Sequence, residues 1–337
     1  MNSDSEIYLA EWLYLAATNE AGIALWFDAF DDTRVSWRLT QARRLLRGIR
    51  QLTLSAADRA RVHHCEGMLE AQLGDWNRAT ERFKRALDLL EGSQEVEDGV
   101  LILNDLGMVL RLQGNAEDAR EAHEQALALA RVVENPHLVA ESLSHVGLDL
   151  EHQKLTDQAV GYFRQALSAS EALGDHQQAA FMLNHLGEAL WRTGRLIEAR
   201  NALTGALDLL ASVADDPYLH AQVEGNLGNV AYEEGDLDMA AALWQSALNS
   251  MDQLDVVFDK IGLLNNLGGL AYAQADYGRA LAFFQESLEL AQELGDERGI
   301  QEALRNLTLA IGRHDEVVGS EQLCAGRRRP GADAAQL

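Results

Sequence analysis

Proline and cysteine are nearly absent from this chain. Three prolines and two cysteines occur in 337 residues, whereas 47% of the residues are hydrophobic. Because proline interrupts helices and the chain is rich in alanine, leucine, glutamate and arginine, the composition predicts a mostly helical protein. Cys65 and Cys324 show no spacing typical of a disulfide framework, so we expect a reducing compartment.

A long apolar run and a basic leader are also missing. No stretch approaches the roughly 20 apolar residues of a membrane helix, and residues 1–6 are acidic rather than basic. We therefore expect a cytoplasmic protein with no membrane partner. Positive charge is scarce too, and the net charge of −25 argues against a nucleic-acid partner because a phosphate backbone would be repelled.

An internal repeat takes the place of these features. Six glycines recur at a period of 40 or 41 residues, each followed 12 residues later by an alanine and four residues further on by a larger side chain. The glycines are Gly67, Gly107, Gly147, Gly187, Gly228 and Gly268; the alanines are Ala79, Ala119, Ala159, Ala199, Ala240 and Ala280. Such a period predicts an array of helical hairpins.

Each repeated glycine needs a reason, since glycine inside a helix costs about 1 kcal/mol relative to alanine. We expect the glycine to pack against the alanine across the hairpin, as Gly67 would against Ala79. A second position, seven residues later, is expected to end the helix in a left-handed conformation. It holds Gly74, Gly114, Lys154, Gly194, Gly235 and Ala275.

Two further signals mark the helix ends. Asp75, Asn115 and Asp236 follow that second position, where a helix N-cap is expected. Pro136 and Pro217 lie between one hairpin and the next, where a helix must stop.

The combined pattern, L-G-x6-G-[DN]-x3-A-x3-F-x2-A, resembles the tetratricopeptide repeat lengthened from 34 to 40 residues. It is similar to kinesin light chain, to the LGN family of adaptors, and to the repeat arrays of bacterial STAND and peptide-sensing regulators. The resemblance implies an all-α fold, a right-handed superhelical solenoid of antiparallel helix pairs. We expect an N-terminal helical cap, a degenerate repeat, over residues 1–59, six hairpins over 60–304, a capping helix over 305–318 and a disordered tail over 319–337.

The expected N-terminal cap carries an arginine-rich helix. Its start is predicted at Asp31-Asp32-Thr33, and its apolar face comprises Trp37, Leu39, Ala42, Leu45, Leu46 and Ile49. The remaining faces hold Arg38, Arg43, Arg44, Arg47 and Arg50. These arginines either stay solvated and pair with nearby acids, or form a docking site for an acidic partner or a second copy of the chain.

The resemblance also implies a binding groove lined by the first helix of each hairpin. The matching positions here are Asn104, Arg111, His145, Asn184, Glu188, Trp191, Arg192, Asn226, Asn229, Tyr232, Asn265, Asn266 and Tyr272. The recurring asparagines either pair with the backbone of an extended peptide or tie adjacent helices together. Trp191, Tyr232 and Tyr272 are either anchors for a partner or packing between repeats.

No pattern of catalytic residues accompanies the repeat. A phosphate loop and a nucleophile elbow are absent, and the clustered histidines lack the convergent set of ligands that zinc needs. We expect no enzymatic activity, no cofactor and no metal. The leading hypothesis is a scaffold that binds a peptide or helix of a protein partner. The alternatives are a sensor module of a bacterial regulator and a self-assembling solenoid.

Overall fold

A computed structural model describes residues 20–35, 39–212, 216–254 and 256–327. All regular secondary structure within these ranges is helical. The chain divides into two compact units, Met1–Asp175 and His176–Leu337. The all-α fold of paired antiparallel helices that the sequence predicts is confirmed.

Eight helices lie within the described residues of the first unit. The helices α3 to α8 form three successive hairpins, and the pair α1 and α2 precedes them. Their bounds are α1 Glu20–Val35, α2 Leu39–Ile49, α3 Ala56–Gln72, α4 Trp76–Leu90, α5 Val96–Leu112, α6 Ala116–Val132, α7 Pro136–His152 and α8 Thr156–Leu173.

The second unit contains seven helices within its described residues. Three hairpins, α9 to α14, are followed by a single long helix that packs on α14. Their bounds are α9 His176–Arg192, α10 Leu196–Leu210, α11 Pro217–Glu233, α12 Leu237–Gln253, α13 Phe258–Ala273, α14 Tyr277–Leu294 and α15 Glu297–Arg327. Among the described residues, no helix is both long enough and apolar enough to cross a membrane.

A left-handed residue turns the chain between the two helices of every hairpin. The four glycines at this position have φ values of 75° to 86°, and Lys154 and Ala275 adopt φ of 63° and 60° in the same place. Asp75, Asp236 and Asp276 then cap the second helix, each accepting a hydrogen bond from a backbone N–H three residues on.

Two details of the helix ends differ from the sequence-based expectation. Asn115 stands at the N-cap of α6, but its side chain makes no capping hydrogen bond there. Pro136 and Pro217 are the first residues of α7 and α11 rather than connecting residues. A backbone N–H in the first helical turn has no acceptor within the helix, so proline loses no hydrogen bond there. The fixed φ of its ring also suits the first residue of a helix.

The repeated glycines pack against the large side chain of the second helix, which lies nearer to each glycine than the expected alanine does. At Gly147, a methyl group would lie 2.6 Å from Phe163 Cε1, and at Gly228 2.6 Å from Trp244 Cδ1. The other four glycines meet Phe83, His123, Leu203 and Phe284 in the same way. The alanines, four residues earlier on that helix, are fully buried.

The N-terminal pair has its own aromatic core. Trp26 and Phe30 stack with their ring centroids 5.7 Å apart, and Leu45 and Ile49 of α2 pack with them, all four buried. The predicted start at residues 31–33 is wrong, because these residues belong to the end of α1 and α2 begins at Leu39. Trp37 and Arg38, which that prediction included, lie outside the described residues.

The closing helix is longer than predicted. It starts at Glu297 instead of 305 and continues to Arg327, so residues 319–327 are helical where a disordered tail was expected. Asp296 explains the early start, since its carboxylate accepts a hydrogen bond from the backbone N–H of Arg298. Residues 328–337 of the predicted tail lie outside the described residues.

Candidate functional site

A cleft of about 490 Å³ opens in the second unit. The first helices of its three hairpins, α9, α11 and α13, supply nearly all of the lining, and the start of α15 closes one end. The lining residues are Asn184, His185, Glu188, Arg192, Ala221, Gln222, Gly225, Asn226, Asn229, Met251, Asp259, Gly262, Leu263, Asn266 and Arg298.

Six of the predicted groove residues line this cleft. They are Asn184, Glu188, Arg192, Asn226, Asn229 and Asn266. A seventh, Asn265, lines a smaller adjoining cleft of about 250 Å³ between α13 and α15. The two clefts share Gly262, Asn266 and Arg298, so together they form one continuous groove across the four helices.

Hydrogen bonds between asparagines tie the helices of the groove together. Asn226 on α11 donates to the side-chain oxygen of Asn184 on α9 at 3.0 Å. Asn266 on α13 donates to the side-chain oxygen of Asn229 on α11 at 2.8 Å, and Trp244 Nε1 donates to the same oxygen at 3.0 Å. The asparagines therefore act as ties between adjacent helices, one of the two roles that the sequence leaves open.

These ties use only part of each amide. An asparagine side chain has two N–H donors and one carbonyl acceptor. Each tie takes one N–H of the donor residue, which leaves the carbonyl oxygens of Asn226 and Asn266 without a hydrogen bond in the described chain. The Nδ2 groups of Asn184 and Asn229 are not used by the ties either. Donors and acceptors thus alternate along the groove, fixed in position by their own partners.

Glycines keep the floor of the groove open. Gly262 is exposed, and a methyl group added there would meet no atom within 4 Å. At Gly225 the methyl group would lie 3.3 Å from Leu263 Cδ2. Both glycines lie inside helices, where they lower helix stability by roughly 0.5–1 kcal/mol each relative to alanine. The two glycines thus leave space in the groove at a small cost in helix stability.

The charged groups of the groove are mostly paired within it. Arg192 donates to Glu188 at 2.6 Å, and Asp259 accepts a hydrogen bond from the Tyr218 hydroxyl at 2.7 Å. Burial, followed by the hydrogen bond to Asp259, raises the pKa of Tyr218, so its hydroxyl remains a donor. Arg298 forms no ion pair with the residues that the structure describes. The groove is therefore polar without a strong excess of either charge.

The aromatic residues predicted beside the asparagines do not line the groove. The Tyr232 ring lies 5.7 Å from the Trp244 ring, and the Tyr272 ring lies 5.4 Å from that of Tyr277. Both pairs join the first and second helices of one hairpin. Trp191 is partly exposed at the end of α9. Each tyrosine thus contacts an aromatic ring of its own hairpin, and Tyr232 remains 39% exposed.

The remaining predicted residues belong to the first unit and have internal partners. Asn104 is buried, and its side-chain oxygen accepts a hydrogen bond from Ser142 at 3.2 Å. Arg111 pairs with Asp149 at 3.0 Å, and the His145 ring stacks on His123 with a centroid distance of 4.8 Å. These three residues belong to a partly buried polar cluster of the first unit and do not line the groove of the second unit.

Sequence reasoning missed this cluster, although the repeat carries its signal. His123 occupies the position that is aromatic or leucine in the other hairpins. Asp149 stands two residues after its glycine, at a position that holds aliphatic residues elsewhere: Leu69, Val109, Ala189, Val230 and Leu270. Two polar replacements at core positions of neighbouring hairpins indicate that they meet.

Comparison with known proteins identifies the repeat. Sequence models of the tetratricopeptide repeat match residues 58–131, 99–172 and 138–212, and a second model of the same repeat matches 261–294. No curated protein sequence matches the chain.

Solved structures match over most of the chain at low identity. The apo form of the quorum sensor NprR from B. thuringiensis is 14% identical with a TM-score of 0.65, covering 86% of this chain and 81% of that one. NprR in complex with its cognate peptide NprX gives 14% and 0.62, covering 93% and 90%. Aspartyl phosphate phosphatase F from Bacillus subtilis gives 12% and 0.64, covering 77% and 68%. One fold thus accompanies different activities, and function has to be argued from the site.

Proposed function

Because this chain belongs to the tetratricopeptide repeat family, we propose that it is a binding scaffold whose second unit holds an extended peptide segment of a protein partner. The observation that carries the proposal is the groove across α9, α11, α13 and α15. Its tied asparagines keep free donors and acceptors at fixed positions above a floor opened by Gly262.

An extended segment suits these groups better than a helix. A helix has already satisfied its backbone N–H and C=O groups, so it offers few of them to asparagine side chains. An extended backbone presents both at regular intervals and lets side-chain amides take the place of a neighbouring strand. The structural likeness to NprR in complex with its cognate peptide NprX is consistent with a peptide ligand.

Preorganisation supports binding by the same groups. The asparagines lose little freedom when a ligand arrives, since each tie already holds both of its members. Ligand binding costs less when polar groups are ordered beforehand. We propose that the ties serve the scaffold and the ligand at once. We expect no catalysis by these residues.

The test is a substitution that fills the groove and leaves its helices intact. Peptides of about 12 residues selected from a random display library on the full-length protein would serve as probes. We expect Gly262→Leu to weaken binding of the selected peptides at least tenfold by fluorescence polarisation. Its melting temperature should stay equal or rise, because leucine favours a helix more than glycine does.

The matched control is Gly161→Leu. Gly161 is also an exposed helical glycine with no atom within 4 Å of an added methyl group, but it lies on α8 in the first unit. Peptide binding should be unchanged in this variant. Equal binding by the wild type and Gly262→Leu would refute the groove as the site, as would a library that yields no binding peptide.

A further inference from the structure

A buried charged network joins three helices of the first unit. His123 on α6 is fully buried, and its Nδ1 lies 2.5 Å from Oδ2 of Asp149 on α7. Its Nε2 lies 3.0 Å from the backbone carbonyl oxygen of Asn104 on α5. The other oxygen of Asp149 accepts a hydrogen bond from Arg111 at 3.0 Å.

Both nitrogens of His123 thus face groups that normally accept hydrogen bonds. A backbone carbonyl can only accept, so Nε2 must carry a proton. If the ring were neutral, Nδ1 would then turn its lone pair toward an ionised carboxylate 2.5 Å away. The short contact becomes a hydrogen bond only when a second proton lies between Nδ1 and Oδ2.

The geometry points to one retained proton: we propose that His123 and Asp149 share a proton at neutral pH, and that its loss at higher pH loosens the contacts of α6 with α5 and α7. The proton leaves to solvent as hydroxide takes it up. Above that pH, the lone pair on Nδ1 and the carboxylate repel each other inside the core.

Every charged group packed against the imidazole takes part in this balance. On α5 the group is Arg111, and on α7 they are Asp149 and His145, the latter stacked on His123 at an interplanar angle of 8°. His145 also lies 3.9 Å from Glu141 on its own helix.

Burial acts against a retained proton, so the direction in which stability changes with pH tests the proposal. Burial holds the pKa of the His123 imidazole below its ordinary value, and the charges of His145 and Arg111 act in the same direction, whereas the hydrogen bond and the charge of Asp149 raise it without offsetting them. If burial dominates, the ring is neutral at pH 7 and proton uptake on acidification destabilises the fold. If the shared proton dominates, the folded chain keeps a proton that the unfolded chain releases, and stability falls as the pH rises.

Histidine nitrogen NMR on the ¹⁵N-labelled full chain gives the direct test. Signals of His123 would be assigned by their loss in His123→Phe. Phenylalanine already occupies the equivalent repeat position in three other hairpins, as Phe83, Phe163 and Phe284. At pH 7.5 we expect both ring nitrogens of His123 to be protonated, with a proton resonance shifted far downfield. A single protonated nitrogen, Nε2, at this pH would overturn the proposal.

Unfolding by urea at pH 6 to 10 gives a second readout. An unfolded histidine titrates near pH 6.5. Above that pH, the unfolding constant of the wild type should rise relative to that of His123→Phe by up to tenfold per pH unit, until the folded pair loses its proton. A ratio that stays constant or falls over this range contradicts the shared proton.

The control for the unfolding experiment is His64→Gln. His64 also lies 2.5 Å from a carboxylate, that of Asp105, but the pair is partly exposed. Removing it should leave the alkaline loss of stability as in the wild type. If His64→Gln abolishes that loss, the pH dependence arises from the exposed pair and the proposal fails.

Discussion

The left-handed position between the helices of each hairpin is the clearest case of one residue serving the backbone. Its six members have φ from 60° to 86°, and only Lys154 and Ala275 carry a Cβ. A residue with a Cβ pays about 1–2 kcal/mol for this conformation, whereas glycine adopts it freely. These two positions are therefore locally strained relative to the other four.

We expect Ala275→Gly to stabilise the protein by about 1 kcal/mol. The gain comes from removing the Cβ from a left-handed turn, less the extra freedom that glycine has in the unfolded chain. Thermal unfolding followed by circular dichroism measures it. The reverse change, Gly235→Ala at φ 86°, should destabilise by a similar amount, and a lower melting temperature for Ala275→Gly would contradict the account.

These turn residues could be predicted from the sequence because the left-handed conformation depends on the residue at that one position. The partner of each packing glycine could not, since it depends on how two helices are rotated against each other. A shift of one helical turn decides between Ala79 and Phe83 as the neighbour of Gly67. The contacts of His123 depend on the same rotation, although the polar residues at positions 123 and 149 of the repeat mark the place where they form.

Glu66 is a second residue whose role depends on its surroundings. Its carboxylate is 4% exposed and meets Arg50, Arg82 at 3.1 Å and His63 at 3.1 Å. Burial alone would raise the pKa of Glu66. The hydrogen bond from His63 and the charges of Arg82 and Arg50 outweigh it and lower the pKa below its usual value near 4.5.

Stability should therefore fall in acid through Glu66. A carboxyl whose pKa is lower in the folded chain contributes stability above pH 4.5, and this contribution is lost as the pH falls through the folded value. We expect Glu66→Gln to cost about 3 kcal/mol at pH 7, because three donors lose their charged acceptor. Urea denaturation at pH 7 and pH 3 measures the difference, which should shrink at pH 3. An equal cost at both values would rule out the charge as its cause.

For the helices, the positions of the ends were harder to predict from the sequence than the pairing of helices into hairpins. The repeat pattern placed all six hairpins, because glycine, alanine and aromatic positions recur with the helical period. The terminal helices lack that pattern, and their limits follow from contacts instead. In α2, Leu45 and Ile49 are buried with Trp26, and in α15 the Asp296 cap sets an earlier start than the repeat suggested.

The asparagine ties belong to this scale as well. The resemblance to the tetratricopeptide repeat placed Asn184, Asn226, Asn229 and Asn266 on one side of three helices, and all four line one cleft in the structure. Which amides would bond to each other depended on the spacing of those helices. The aromatic residues Trp191, Tyr232 and Tyr272 lie outside this groove, and Tyr232 packs against Trp244 of its own hairpin. Their role as anchors for a partner stays a prediction.

For the whole molecule, the open alternative from the sequence is self-assembly through the arginine-rich helix α2. Arg50 already pairs with Glu66 of α3, while Arg43 and Arg47 are exposed. Isolated exposed ion pairs contribute little to binding. We therefore expect a monomer of 37.1 kDa at both 50 mM and 500 mM salt by light scattering. Larger species at low salt that dissociate at high salt would support the self-assembly hypothesis.

The polar network of the first unit also constrains how such an array can change by duplication. One 40-residue hairpin can replace another where neighbouring hairpins contact each other only through apolar side chains. The second and third hairpins are an exception, since His123 belongs to one and Asp149 to the other. A recombination event that separated them would leave a buried charge alone, so these two hairpins must be inherited together.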